Sequence, residues 1–591
     1  MPFVRHCEPA EGGRSNQAGS GQAPQSLRLL PSGPTARKGR RRPCLGRRLA
    51  MTIVVFSCLI FSSNGFAQSA DSADSILGKI PVQSGGRTKP FESFAREALV
   101  SVTGKTSLQG KSATRIVWDW IANPEKWNTQ SFLPVRYEAL KKEWGLMVIG
   151  GKISPELVLN HAPFQAKAEE AIRRQEKKER LSALEKKRTE LYDQARLFQA
   201  IAQGELPGFL PPPADPRAGW IPLKALADSG QVHVLEKLRL LIESLRTDNP
   251  GMVSRAAQEF SFTLQEALES QDILLDQTKL RAEIFYNRIH PFQWAWMLYL
   301  GAGLLWFFLR NRSRTLALVL FSAAFLFHTL GFILRCLVAG RPPVSNMYES
   351  VIWVAWAVVL FSVILGLIYR KAFLPAAACW VASFALLIGE SFPTALDPSL
   401  TPLVPVLRSN YWLTIHVLTI TMSYGAFALA WGLAHVNLWN LAFHPEKTES
   451  FEPFDQYLYR ALQIGVVLLS AGAILGGVWA NASWGRFWGW DPKETWALIA
   501  LLGYLAVLHG RLTGWLGAFG TALGSAVAFL GILMAWYGVN FVLAAGLHSY
   551  GFGGGGVFYV AAIVALDLVF ISLLAFRYNK NLRARSLKEL T

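Results

Sequence analysis

From His290 onward the chain alternates long apolar runs with short polar loops, whereas the preceding stretch is mixed and amphipathic. The apolar runs fall at 292–309, 315–339, 350–369, 372–390, 411–442, 461–480, 495–510, 515–546 and 557–576. Several match the roughly 20 apolar residues that carry a helix across a bilayer, and two are long enough to project beyond it. The pattern predicts nine membrane helices. Residues 68–290 read instead as a water-exposed, mostly helical domain. Within it, Lys167–Ile201 alternates acidic and basic residues with Leu and Ala at helical spacing, which predicts a long solvated helix or helical hairpin. Pro211-Pro212-Pro213 breaks the pattern. The expected fold is an all-α polytopic membrane protein carrying an N-terminal, mostly helical domain.

The beginning of the chain differs from both parts. Residues 1–50 are rich in Gly, Pro, Ser and Arg and lack periodicity, as in a disordered leader or sequence upstream of the true start. Arg47-Arg48, the run Thr52–Phe61 and the small residues of Gly65-Phe66-Ala67 read as a signal peptide over 51–67. The run is short for a span, and an uncleaved anchor stays open as the alternative.

Composition supports the membrane reading, with 51% hydrophobic and 17% charged residues. The net charge of +18 is not a nucleic-acid footprint, because the basic residues sit in the leader and in short loops. One set of loops, with the C-terminal tail, holds thirteen Lys and Arg residues; the other holds only Arg341, Arg408, Arg486 and Lys493. The richer set is expected on the cytoplasmic side. With nine spans, this places the domain 68–290 in the periplasm and the tail 581–591 in the cytoplasm of a bacterial inner membrane. The five cysteines, Cys7, Cys44, Cys58, Cys336 and Cys379, show no Cys-x-x-Cys spacing, so neither a dithiol motif nor a covalent heme attachment sequence is present.

The chemistry concentrates in Trp484-Gly-Arg486-Phe487-Trp488-Gly-Trp490-Asp491-Pro-Lys493-Glu494. Four aromatic rings beside a cation suit a large planar ligand that is apolar on its faces and anionic at one edge, as heme is. Two plainer readings compete. Tryptophans gather at membrane interfaces as anchors, and Asp491 with Glu494 forms a capping-box pattern around Pro492. An anchor needs only one or two rings, however, and glycines here let a flat ligand approach the backbone. His416 and His548 bracket the motif, and two neutral imidazoles can fill both axial positions of heme iron. His328 and His509 lie inside apolar runs at comparable depth, where an ionisable group is costly, which suggests a second heme within the membrane. The alternatives are a helix–helix hydrogen bond for His328 and a snorkelling residue for His509 beside Arg511. Arg341, Arg408 and Arg486 are candidate partners for the propionates.

The motif resembles the tryptophan-rich "WWD" motif of the heme-handling proteins of cytochrome c biogenesis. With the spacing of His416, His509 and His548 and the loop Gly340-Arg341 to Asn346-Met-Tyr348-Glu349-Ser, the stretch from about 290 to 580 most resembles the CcsA/ResC type. The resemblance implies that 291–580 is a heme-handling domain of system II. His416 and His548 would be the outward-facing ligands, His509 the ligand within the membrane, and Trp484, Trp488, Trp490 and Asp491 the heme platform. It further implies heme b as the bound group and a heme-lyase role in attaching it to the Cys-x-x-Cys-His thiols of apocytochrome c. Implied partners are apocytochrome c, a CcsB/ResB-type membrane protein and thiol-reducing proteins, with no nucleic acid. Heme delivery without ligation, and a membrane scaffold for respiratory assembly, remain the alternatives.

Overall fold

The computed structural model describes residues 73–590 apart from 178, 180, 213–217, 248, 272, 274, 310–313, 370–372, 392–395, 404–408, 446–447, 544–545 and 547–555. The expected leader and signal peptide, Arg408 and His548 lie outside the described residues. Two separate hydrophobic cores organise the rest, one within residues 77–268 and one within 292–574.

The first core belongs to a mostly helical domain that also contains small antiparallel sheets. Its largest sheet runs Arg87–Pro90, Pro81–Ser84, Gly208–Leu210, Ile221–Pro222. Gly85 and Gly86, both at positive φ, close the first hairpin, so Arg87 stands at its tip opposite Ser84. Buried aromatic residues fill the interior: Trp118 stacks on Phe91 at 4.8 Å, and Trp127 donates its indole N–H to Asp119 at 2.9 Å. The charged stretch expected as one helix or a hairpin is a hairpin, Ala162–Glu176 and Ala183–Ala202. A capping box on Ser182 and Glu185 starts its second arm. Its alternating charges pair across the turn and with a neighbouring helix, as in Arg174–Glu185 and Arg188–Glu143.

Among the described residues, nine helices form the second part, close to the nine apolar runs. Eight are long and apolar enough to cross a membrane. The ninth, Pro291–Leu309, packs Phe292, Ala295, Tyr299 and Ala302 into the same core. The chain is thus an all-α polytopic membrane protein. Close helix contact is built on small residues: a Cβ at Gly425 would lie 2.4 Å from Ala357 Cβ, and one at Gly472 would lie 2.9 Å from Ile420 Cα. Near the far end of the helix Leu418–Phe443, His435 Nε2 sits 2.8 Å from Asp567, tying in the helix Val557–Leu590.

A polar joint fixes the first domain to one end of the bundle. Arg87 makes two hydrogen bonds to Glu283, at 2.8 and 2.7 Å, and donates Nε–H to the Leu400 carbonyl at 2.6 Å. Glu283 lies on the connecting helix Gln277–Ile289, and Leu400 on a loop between bundle helices. The same loop is held from below by Arg335 on the Pro398 carbonyl (3.0 Å) and Arg341 on the Thr401 carbonyl (3.0 Å). Arg335 and Arg341 converge on Glu349, at 2.8 and 3.1 Å, and all three are buried. Arg87→Ala would leave the Glu283 carboxylate buried without its bidentate partner, at a cost of roughly 2 kcal/mol. We expect faster proteolysis between the two parts and a lower unfolding temperature of the purified protein; unchanged cleavage and unfolding would contradict this role.

Candidate functional site

At that same end the bundle opens into a cleft of ≈1240 Å³, counting its mouth. Its first wall is the start of the His416 helix. Residues Leu413–Val417 form a π-helical turn between Asn410–Trp412 and Leu418–Phe443, and such turns are frequent at functional sites. His416 lies on it, with Nδ1 2.8 Å from the Gly472 carbonyl. A carbonyl only accepts, so Nδ1 carries the proton and the lone pair is on Nε2. This is the arrangement that fixes tautomer and ring orientation in metal-bound histidines. The neighbouring helix Thr448–Trp484 allows it by being bare here: a Cβ at Gly476 would fall 2.6 Å from His416 Cε1. Trp479 packs edge-on to the imidazole at 5.6 Å.

The tryptophan motif forms the second wall. The helix ends at Trp484, the chain turns at Gly485 with positive φ, and Phe487 folds back over Gly477, where a Cβ would meet its ring at 2.6 Å. Trp484, Phe487 and Trp488 line the cleft. Asp491 is the N-cap of the helix Pro492–Leu512 and Glu494 completes a capping box. Glu494 also accepts from the Gly489 N–H at 2.8 Å and lies 3.5 Å from Arg486, so its carboxylate is committed to the turn.

The third wall was not legible in the sequence. A second π-helical segment, Met534–Leu543, presents Trp536 and Asn540. Trp536 donates to Ser350 Oγ at 2.9 Å, and Asn540 donates to the Trp536 carbonyl at 3.0 Å. Asn540 Oδ1 is buried with no hydrogen-bond partner among the described residues, so the cleft contains an acceptor awaiting a donor. Ser345, Asn346 and Met347 close the rim. They hang on Glu349, which accepts from the Ser345 N–H at 2.9 Å and its hydroxyl at 2.7 Å. The only sequence signal for the third wall is a polar Asn within the apolar run Ala535–Leu543.

The structure therefore brings together His416, Trp484 and Trp488. Trp490 stands beside Trp488 at 6.1 Å but is 70% exposed and outside the lining. Arg486 packs over Trp484, and Arg341 is engaged with Glu349 and Thr401. The structure does not bring His328 and His509 together. His328 is fully buried: Nε2–H donates to the Ile352 carbonyl at 3.1 Å, and Nδ1 faces the Tyr299 hydroxyl at 3.5 Å. Its described hydrogen bonds are those of a helix–helix contact. His509 is exposed on the surface of its helix, with Nδ1 2.7 Å from the Leu505 carbonyl, which again leaves the lone pair on Nε2.

Residues 344–548 match the family model for the cytochrome C assembly protein, a span that opens at the cleft rim and closes on His548. The CcsA protein of Chlorella vulgaris is 37% identical over 266 residues, covering 38% of this chain and 82% of its own. The chain belongs to the CcsA family of cytochrome c biogenesis proteins. CcsA of Prochlorococcus marinus (strain MIT 9301) is 36% identical over 255 residues, covering 38% of this chain and 80% of its own. NrfI of Wolinella succinogenes is 33% identical over 515 residues, covering 81% of this chain but 54% of NrfI. The likeness to NrfI is too long for the bundle alone and takes in at least part of the first domain, whereas the CcsA likenesses are short enough to lie within the bundle. The chain spans about half the length of NrfI.

Proposed function

We propose that the cleft binds heme and presents it to apocytochrome c at the periplasmic face of the inner membrane. The observation that carries this reading is the setting of His416: an imidazole with Nδ1 2.8 Å from the Gly472 carbonyl, on a wall of a cleft lined by Trp484, Trp488 and Trp536. Aromatic faces suit a macrocycle, and Nε2 suits its iron. His548 would be the second histidine to hold the heme, giving way to the histidine of the incoming Cys-x-x-Cys-His segment. Attachment then needs each cysteine thiol to add across one vinyl group, sulfur bonding to one carbon and hydrogen to the other. The thiols must arrive reduced, which is the task of thiol-reducing partners. The protein's part is to position heme b against them, and the reacting groups belong to heme and apocytochrome.

His509 enters the reading as one ligand of a heme within the membrane. Its exposed imidazole suits a second ligand brought by another chain of the CcsB/ResB type. Delivery without ligation is the competing reading, favoured by the commitment of Glu494, the one carboxylate in the lining among the described residues, to its helix cap. Co-expression with an apocytochrome c, followed by heme staining after denaturation, separates the two. Covalent holocytochrome that depends on this chain and on His509 supports the proposal, whereas heme-loaded protein with no covalent product supports delivery.

A further inference from the structure

Granted the heme reading, the cleft must answer the anionic edge of the ligand, and the two nominated arginines among the described residues are engaged elsewhere. Arg341 is buried against Glu349, and Arg486 is paired with Glu494. Lys493 is different. It lines the cleft beside Glu494, and its backbone N–H is used by Asp491 Oδ1 at 3.0 Å. Among the described residues, none accepts a hydrogen bond or forms a salt bridge with its ammonium group. Asp491, the nearby carboxylate, is 6% exposed and serves as the helix cap. An ammonium in an aromatic cleft loses hydration, and an anionic ligand group repays that loss by direct pairing.

We infer that Lys493 is the carboxylate anchor of the cleft: it pairs with one propionate of the bound porphyrin and sets which edge of the macrocycle points toward the start of the helix Pro492–Leu512. A lysine ammonium is a compact point charge, suited to holding one carboxylate without demanding a planar bidentate fit. The indole and phenyl walls define the plane of the ring but not its rotation within that plane. One fixed charge at the cleft edge removes this freedom and so determines where the vinyl groups emerge.

The test uses the full-length purified protein in detergent, titrated with ferric protoporphyrin IX and, separately, with its dimethyl ester, which lacks the negative charges. Lys493→Gln should weaken binding of the diacid roughly tenfold, equivalent to about 1.4 kcal/mol, and leave the diester unaffected. Lys493→Arg should restore most of the loss. In the unsubstituted protein the diacid should bind more tightly than the diester by a similar factor, a comparison that stands even if a variant fails to fold. Equal diacid affinity in Lys493→Gln, or equal loss for diacid and diester, would overturn the anchor while leaving the cleft reading intact. If His416→Ala also leaves both affinities unchanged, the cleft reading itself falls and the anchor falls with it.

Discussion

His416→Ala is expected to give a protein that inserts and folds but retains roughly tenfold less heme or lower, the loss of at least about 1.4 kcal/mol of binding. The fold should survive because truncation to alanine keeps the helix backbone, and the described contacts that it removes include a hydrogen bond to the Gly472 carbonyl and an edge contact to Trp479. The iron would lose an axial donor that the π-turn and the bare Gly476 face hold in place. Added imidazole can enter the vacated space and supply the missing nitrogen, so heme content and cytochrome maturation should both recover in part. Heme per protein, measured with and without imidazole, checks this. Full heme content in the alanine variant would remove His416 from the iron.

Glu349→Ala should have the larger effect on the fold. Its carboxylate pairs with both Arg335 and Arg341, each nearly or fully inaccessible, and accepts two further hydrogen bonds from Ser345. Removing one partner of a buried ionic cluster leaves uncompensated charge, at a cost of about 3–5 kcal/mol. The accumulated level of full-length protein in the membrane should drop sharply. Arg335 and Arg341 also hold the Pro398 and Thr401 carbonyls, so what survives should have a loosened loop beneath the first domain and a disturbed Ser345–Met347 rim. Glu349→Gln keeps the shape and part of the hydrogen bonding and should fall between the two. Normal protein levels and normal unfolding in Glu349→Ala would contradict the role assigned to the cluster.

Nine apolar runs gave nine helices, and eight of them are long and apolar enough to cross a membrane because the requirement for about 20 apolar residues is imposed by the bilayer and written into composition. The gathering of His416 with Trp484 and Trp488 was legible for a related reason: alternating spans bring the start of one helix and the end of the next to one face. Lateral position was not legible. The sequence puts His328 and His509 at comparable depth, but depth does not say which helices are neighbours, and His328 turns into the interior against Phe292 and Phe332. The role of Arg341 was hidden because its partner, Glu349, sits in the first turn of the next helix, Met347–Tyr369, and only folding shows the pair to be buried with Arg335. The π-helical segments left no trace either, since one wider turn changes the hydrogen-bond ladder without changing the apolar pattern. The same widening aims His416 and presents Trp536 and Asn540 to the cleft. The cap reading and the ligand reading of Asp491 and Glu494 were both open in the sequence, and the capping box is present in the structure.

The central claim is that heme sits in the cleft with its iron on His416. An experimental structure of the full-length protein purified with heme tests it most directly. The account predicts a planar density between the Trp484–Trp488 wall and Trp536, with the iron bonded to His416 Nε2 and Nδ1 still on the Gly472 carbonyl. Heme found only outside this cleft, or within it with His416 turned away from the iron, would contradict the account.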